Sequence, residues 1–363
     1  GLLGTPSGSE GLALTYLRVI FVAMPATLTF TLVMMALRGS GDSVTPLWFM
    51  ALSALIDLGL NPALILGLGP LPQLGIFGSA LSTVIANSVA LVLMIALLYR
   101  RQSPLTLRGA ELGYLIPNRE ILSSLVKKGL PMGLQMIVIS SAALSMLTLI
   151  NREGVETTAA YGATQQLWTY IQMPAMALSA AASAMAAQNI GAGQWDRVSH
   201  ITKWGIIFNL VITSLLVIIL TIFDSRVLSL FLGSDSDAMT VGRHIQLLAT
   251  WGYVFFGIGM VLFGSMRANG YVIAPLIVMI VTMYPVRLGF AFGLQSILGA
   301  DALWLSFPVG MVTTAALAAW LYFRGTWREG KMMAQSEASH MSENYRTEGG
   351  HCPSGKDLVT TST

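Results

Sequence analysis

RGSGDSVTPLWFM (Arg38–Met50) and RANGYVIAPLIVM (Arg267–Met279) are one turn written twice. Both read R-x-x-G-x-x-x-x-P-L-x-x-M. An ungapped shift of 229 residues lays Arg38, Gly41, Pro46, Leu47 and Met50 on Arg267, Gly270, Pro275, Leu276 and Met279, and also lays Leu3-Gly4 on Leu232-Gly233. Each copy links the end of one long apolar run to the start of the next. The arginine marks a membrane edge, the glycine permits a turn, and the proline opens the following helix where its missing N–H costs nothing. One such turn is common punctuation, whereas two with identical spacing point to an internal duplication.

The apolar runs on either side extend along most of the chain. Of 363 residues, 54% are hydrophobic and only 10% charged, with a mean hydropathy of +0.69. A soluble domain carries about 25% charged residues, so this chain cannot hide its apolar side chains in one globular core. The runs are continuous rather than alternating, which excludes a β-barrel. Nine are long enough to cross a bilayer, at roughly 10–37, 46–68, 75–99, 129–151, 157–190, 200–223, 240–266, 273–297 and 302–323. The expected class is therefore an all-α polytopic membrane protein. The formal charge of +3 is spread without a basic stripe, which argues against nucleic acid as a partner. The single cysteine, Cys352, excludes an internal disulfide framework and a cysteine-built metal site.

Charge asymmetry sets the orientation. One set of alternating loops holds Arg38, then Arg100, Arg101, Arg108, Arg119, Lys127 and Lys128, then Arg197, Lys203, Arg267, Arg324, Arg328 and Lys331. The opposite set holds Arg152 and Arg226 amid Glu153, Glu156, Asp224, Asp235, Asp237 and Asp301. The central connector and the C-terminal tail are thus expected in the cytoplasm. Both copies of the repeated turn fall on that side, which predicts parallel repeats related by an axis along the membrane normal. Residues 1–100 then form the remainder of an N-terminal lobe, 101–128 a cytoplasmic connector, 129–324 a six-helix C-terminal lobe and 325–363 a disordered polar tail. The 229-residue offset leaves the first half three spans short of the second, so the expectation is an N-terminally truncated chain holding nine of twelve helices.

Two ionisable residues sit deep in apolar spans, where a charge is a functional candidate by default. Asp57 is followed four residues later by Asn61 on the same helix face, and Pro62 frees backbone carbonyls nearby. A carboxylate, an amide oxygen and carbonyls suit a hard cation such as Na+. Desolvation could instead make Asp57 a proton carrier, and a plain hydrogen bond to a neighbouring helix is the structural alternative. Arg287, two residues after Pro285, could serve a gate or a substrate, or could be satisfied by helix-end carbonyls at the proline break. In the fifth span Gln165, Trp168 and Gln172 share a face suited to flat organic cations. The competing reading is interhelical hydrogen bonding plus an interfacial belt made by Trp168 and Tyr170. Gly289 and Gly293 form a G-x-x-x-G read as helix packing. Gly350–Asp357, GHCPSGKD, imitates a phosphate loop but lacks the final Ser/Thr and lies in the polar tail, so ATP is not an expected partner. No nucleophile–base pair or paired His/Cys ligand set appears, and no enzyme or cofactor is expected.

The chain resembles the multidrug and toxic compound extrusion (MATE) family up to about Arg324. YLRVIFVAMP (Tyr16–Pro25) running to ALRGSGDSVTP (Ala36–Pro46) looks like the family's fourth helix and the turn after it. DLGLNPALILGLGPLPQLGIFGSALST (Asp57–Thr83) looks like its fifth and sixth helices. AAQNIGAGQWDRV (Ala186–Val198) looks like the end of the eighth, and MRANGYVIAP (Met266–Pro275) like the turn from tenth to eleventh. The resemblance implies a twelve-helix, two-lobe fold that exports organic, often cationic compounds in exchange for H+ or Na+. It also implies a coupling site in which Asp57, Asn61 and one of Ser79 or Thr83 join an aspartate from a first helix that has no counterpart here. A second-lobe cation site known in some members has no acid to build it in Pro131–Ile150 or Val241–Met266.

The expected function is therefore a secondary-active exporter, a monomer in the cell (inner or plasma) membrane, with Arg38, Gly41, Pro46, Arg267, Gly270 and Pro275 bracing the cytoplasmic turns. The alternatives are a lipid-linked precursor flippase of the same superfamily, or a truncated membrane protein that does not transport.

Overall fold

The computed structural model describes residues 7–68, 72–103, 105–106, 109, 118–233 and 237–329. The Leu3-Gly4 match, Arg108, Asp235, the phosphate-loop mimic and the tail beyond residue 329 lie outside them. All regular structure among the described residues is helical, and the chain divides into two units, Gly1–Ile116 and Pro117–Thr363.

The first unit contains α1 (Ser7–Gly39), α2 (Val44–Leu66) and α3 (Gly75–Arg100). The α2–α3 seam is close because Gly78 is buried there: a Cβ at this position would lie 2.6 Å from the Leu64 carbonyl oxygen. Phe30, Met34 and Leu37 of α1 pack on Ala90, Leu91, Met94 and Leu98 of α3. Other large apolar side chains, including Leu28, Leu32, Leu55 and Val92, point outward, as a bilayer-facing surface requires.

The second unit contains α4 (Arg119–Ile150), α5 (Val155–Gly191), α6 (Trp195–Ile222), the short α7 (Asp224–Leu232), α8 (Asp237–Ala249), α9 (Tyr253–Ala268), α10 (Ile273–Val281), α11 (Gly289–Leu298) and α12 (Asp301–Arg324). A 3₁₀ turn, Thr250–Gly252, joins α8 to α9. A π-helical segment, Thr282–Leu288, joins α10 to α11 and contains Pro285, which has no N–H for the regular ladder. α9 and α12 form the buried centre of this unit, while α6 keeps most of its surface outward.

Eight helical stretches among the described residues are long and apolar enough to cross a bilayer, against the nine expected. The one not counted is α5, which is nevertheless a continuous helix of 37 residues. Its amides and hydroxyls lower its hydropathy, and they are accommodated because much of α5 packs inside the unit. α4 starts at Arg119 rather than near 129, since the Asn118 side chain accepts the Glu120 N–H at 2.8 Å and so opens the helix earlier. The chain after α12 does not become irregular at 325. Thr326–Glu329 form a 3₁₀ turn, Trp327 is fully buried, and the Asn269 amide donates to the Trp327 carbonyl at 2.8 Å. Gly289 and Gly293 do not pack as expected: a Cβ on either would meet nothing within 4 Å.

The repeated turn closes on the same glycine and the same two hydrogen bonds in both copies. Gly41 (φ 97°) and Gly270 (φ 73°) are both left-handed. The Gly41 N–H reaches the Arg38 carbonyl at 3.2 Å and the Asp42 N–H reaches Leu37 at 2.9 Å. At the 229-residue offset the Gly270 N–H reaches Arg267 at 2.8 Å and the Tyr271 N–H reaches Met266 at 3.2 Å. This is a helix C-terminus closed by a glycine in the left-handed region. The side chains around it differ. Arg38 contacts the Met50 sulfur at 3.3 Å, whereas Arg267 donates to Gln135 at 2.9 Å and Lys128 donates to the Gly270 carbonyl at 3.1 Å.

Candidate functional site

Polar side chains collect in two places, one in each unit. In the first unit, Asp57 on α2 faces the start of α3. Its Oδ1 accepts from the Ser82 hydroxyl at 2.7 Å and from the Thr83 hydroxyl at 3.3 Å. Both hydroxyls also lie near the Ser79 carbonyl, at 2.9 and 3.4 Å. One helical turn along the seam, the Ser53 hydroxyl donates to the Asn87 amide oxygen at 2.8 Å. The α2–α3 contact is therefore a ladder of two polar rungs in an apolar wall. A carboxylate in such a wall must be paired or protonated, and hydroxyl donors from the next helix supply part of that pairing.

Of the residues singled out in the sequence, Asp57 and Thr83 come together. Ser79 contributes its backbone carbonyl rather than a side-chain bond, and Asn61, one turn beyond Asp57, makes no bond to it. Ser82, which holds the shortest contact to the carboxylate, was missed. Its place three residues after Ser79 and one before Thr83 on the same helix was the available signal. The donor set is all oxygen: the carboxylate, two hydroxyls and the Ser79 carbonyl. It suits a hard cation or a proton, and no group of three or more His, Cys, Asp or Glu residues fit for a metal occurs among the described residues.

In the second unit, a cavity of about 170 Å³ opens between α4, α5, α9, α10, α12 and the π-helical segment. Gln165, Trp168, Gln172 and Arg287, scattered over more than a hundred residues of sequence, all line it. Its apolar walls come from Tyr161, Tyr253, Phe256, Phe263, Phe307 and several methionines. Trp168 is 1% exposed, with its ring 5.1 Å from Phe307 and 5.3 Å from Tyr253. Its indole N–H donates to the Thr250 hydroxyl at 2.9 Å, and that hydroxyl donates to Gln246 at 2.6 Å. Trp168 is thus fixed in the core and is no interfacial anchor, while Tyr170, 52% exposed, remains outside.

Arg287 stands on the π-helical segment with its guanidinium 3.7 Å from the centre of the Phe307 ring. A cation over an aromatic face gains about 0.5–2 kcal/mol, more when dry. Its Nη1 reaches the Met283 sulfur at 3.7 Å, a weak contact, and its buried Nε has no partner. The alternative of helix-end carbonyls at a proline break does not satisfy its Nε, and the chain continues through Pro285 as a π-helix. Gly310 of α12 faces it: a Cβ there would sit 3.5 Å from the Arg287 Cβ, in ordinary van der Waals contact.

The long apolar helices make the chain a multi-pass membrane protein. The MatE family model matches residues 131–292. The "Probable multidrug resistance protein YoeA" of Bacillus subtilis is 32% identical over 330 residues, covering 90% of this chain and 71% of that protein. The "FAD transporter" of Shewanella oneidensis is 29% identical over 308 residues, covering 85% and 67%. A solved structure described as the outward-facing conformation of a multidrug resistance MATE family transporter shares the fold, with a TM-score of 0.80 at 21% identity over 90% of this chain and 72% of that one. The chain belongs to the MatE family.

Proposed function

We propose that this protein is a secondary-active exporter, moving small organic compounds outward against H+ or Na+ while alternating between inward- and outward-open states. The observation that carries this reading is the Asp57 carboxylate, set within an apolar span and held by Ser82 and Thr83 of the neighbouring helix. Binding Na+ or a proton there neutralises the one carboxylate of the α2–α3 seam. It thereby changes which packing of the seam is favoured. A membrane potential supplies about 2.3 kcal/mol per charge per 100 mV, enough to bias two conformations without covalent chemistry or ATP.

In the same reading the protein acts as a monomer in the cell membrane, with residues 101–128 and the tail in the cytoplasm and the two repeated turns bracing the helices that move. Gln165, Trp168, Gln172 and Arg287 line a substrate cavity. The relatives bear different cargo names, so the cargo is taken from none of them. The test is dye efflux and drug resistance in cells expressing the protein with Asp57→Asn. Loss of gradient-driven efflux at normal membrane expression is expected; undiminished coupled efflux overturns the assignment.

A further inference from the structure

Arg287 brings a full positive charge into the aromatic cavity of the second unit. Among the described residues no carboxylate pairs with it: the ion pairs are Arg243–Asp224 and His244–Asp301, both elsewhere. None of the residues lining the cavity is acidic. The acids of this unit's described helices stand at helix ends, as Glu120, Glu156, Asp196, Asp224, Asp237 and Asp301 do. A guanidinium has five N–H donors in a planar fork. Here one has only a sulfur as acceptor, another is buried with none, and the flat face is spent on Phe307. A part-buried cation with so few acceptors is costly, and an anion arriving in the cavity removes much of the cost.

We propose that the cavity binds a small aromatic anion, its carboxylate paired with Arg287 and its ring among Trp168, Tyr253, Phe256 and Phe307. Carboxylate is the group that matches the guanidinium fork with two parallel hydrogen bonds. The size fits one ring: an apolar cavity of about 150 Å³ takes benzene, and this one is about 170 Å³. The walls supply edges and faces for stacking, and the Gln165 and Gln172 amides flank the ring with polar contacts. An organic cation is disfavoured in the same space. The Phe307 face it would use is already covered by Arg287, and the two like charges would share a low-dielectric pocket. The inference deepens the exporter reading by naming a cargo class, but its binding step does not depend on transport.

The test is equilibrium binding to the purified full chain in detergent, by calorimetry or ligand-observed NMR, with benzoate, benzylammonium and inorganic phosphate as probes. The expected result is benzoate binding at least tenfold tighter than either other probe. Arg287→Gln should remove most of that advantage, and Arg287→Lys should keep part of it. Equal or tighter binding of benzylammonium overturns the proposal. So does phosphate binding as well as benzoate, which would make the site a general anion or headgroup site. Should Arg287→Gln fail to fold, the wild-type ratio of benzoate to benzylammonium decides alone. Benzoate binding is read in detergent with no ion gradient, so absence of gradient-driven efflux in cells with that binding intact counts against the exporter reading only.

Discussion

The Ser82 hydroxyl lies 2.7 Å from Asp57 Oδ1 and 2.9 Å from the Ser79 carbonyl, so one proton on α3 is shared between the intramembrane carboxylate and its own helix. A hydrogen bond to a charged group contributes about 1.5–3 kcal/mol, roughly ten- to a hundredfold in an equilibrium. Ser82→Ala should therefore weaken coupled efflux by about that range. Ser79→Ala, which keeps the backbone carbonyl, should change it little. Efflux rates at matched expression check the contrast, and equal losses from both variants would contradict the geometry.

Gly41 and Gly270 close their turns in the left-handed region. A residue with a Cβ pays about 1–2 kcal/mol there, so Gly41→Ala and Gly270→Ala should each lower the melting temperature in detergent. Gly289→Ala is the control. That helical position has open space, and alanine there should be neutral or slightly stabilising.

Asn209 on α6 is fully buried against Gly257 on α9, with neither amide atom hydrogen-bonded. A Cβ at Gly257 would overlap the Asn209 amide. Gly257→Ala should destabilise by about 1–3 kcal/mol or more, as overpacking does. Adding Asn209→Ala should recover most of the loss, and a double-mutant cycle in thermal or chemical unfolding measures the coupling.

Asp42, in the loop between α1 and α2, ionises more readily than an ordinary carboxylate. Partial burial alone pushes its pKa up, but the Thr45 hydroxyl, the Thr45 and Val44 N–H groups and the nearby Arg101 outweigh that and leave it lowered. A lowered native pKa gives stability that is complete above the unfolded value of about 3.9 and lost as pH falls through the native value. The melting-temperature gap between wild type and Asp42→Ala should thus be present at pH 7 and shrink at pH 3. A gap that persists unchanged at pH 3 would contradict the charge-based account.

The repeated turn was legible because arginine, glycine and proline each mark a backbone event, and both of its glycines have positive φ. Asp57 stood out because a lone acid in an apolar span has few innocent explanations. Ser82 did not, since a serine in a membrane helix usually bonds its own backbone, and here it does that as well. The burial of Trp168 was hidden because tryptophan serves equally as core and as interfacial anchor. Only the Thr250–Gln246 chain beneath it decides between them. Pro285 and Arg287 were conspicuous, yet the π-helical segment that carries Arg287 to the cavity has no signature in the local sequence pattern.

Ion-driven uphill transport by the purified protein tests the central claim most directly. In proteoliposomes with equal substrate on both sides, an imposed pH or Na+ gradient should drive net substrate accumulation in wild type. Asp57→Asn should equilibrate substrate without accumulating it. Accumulation by Asp57→Asn equal to that of wild type would contradict the account.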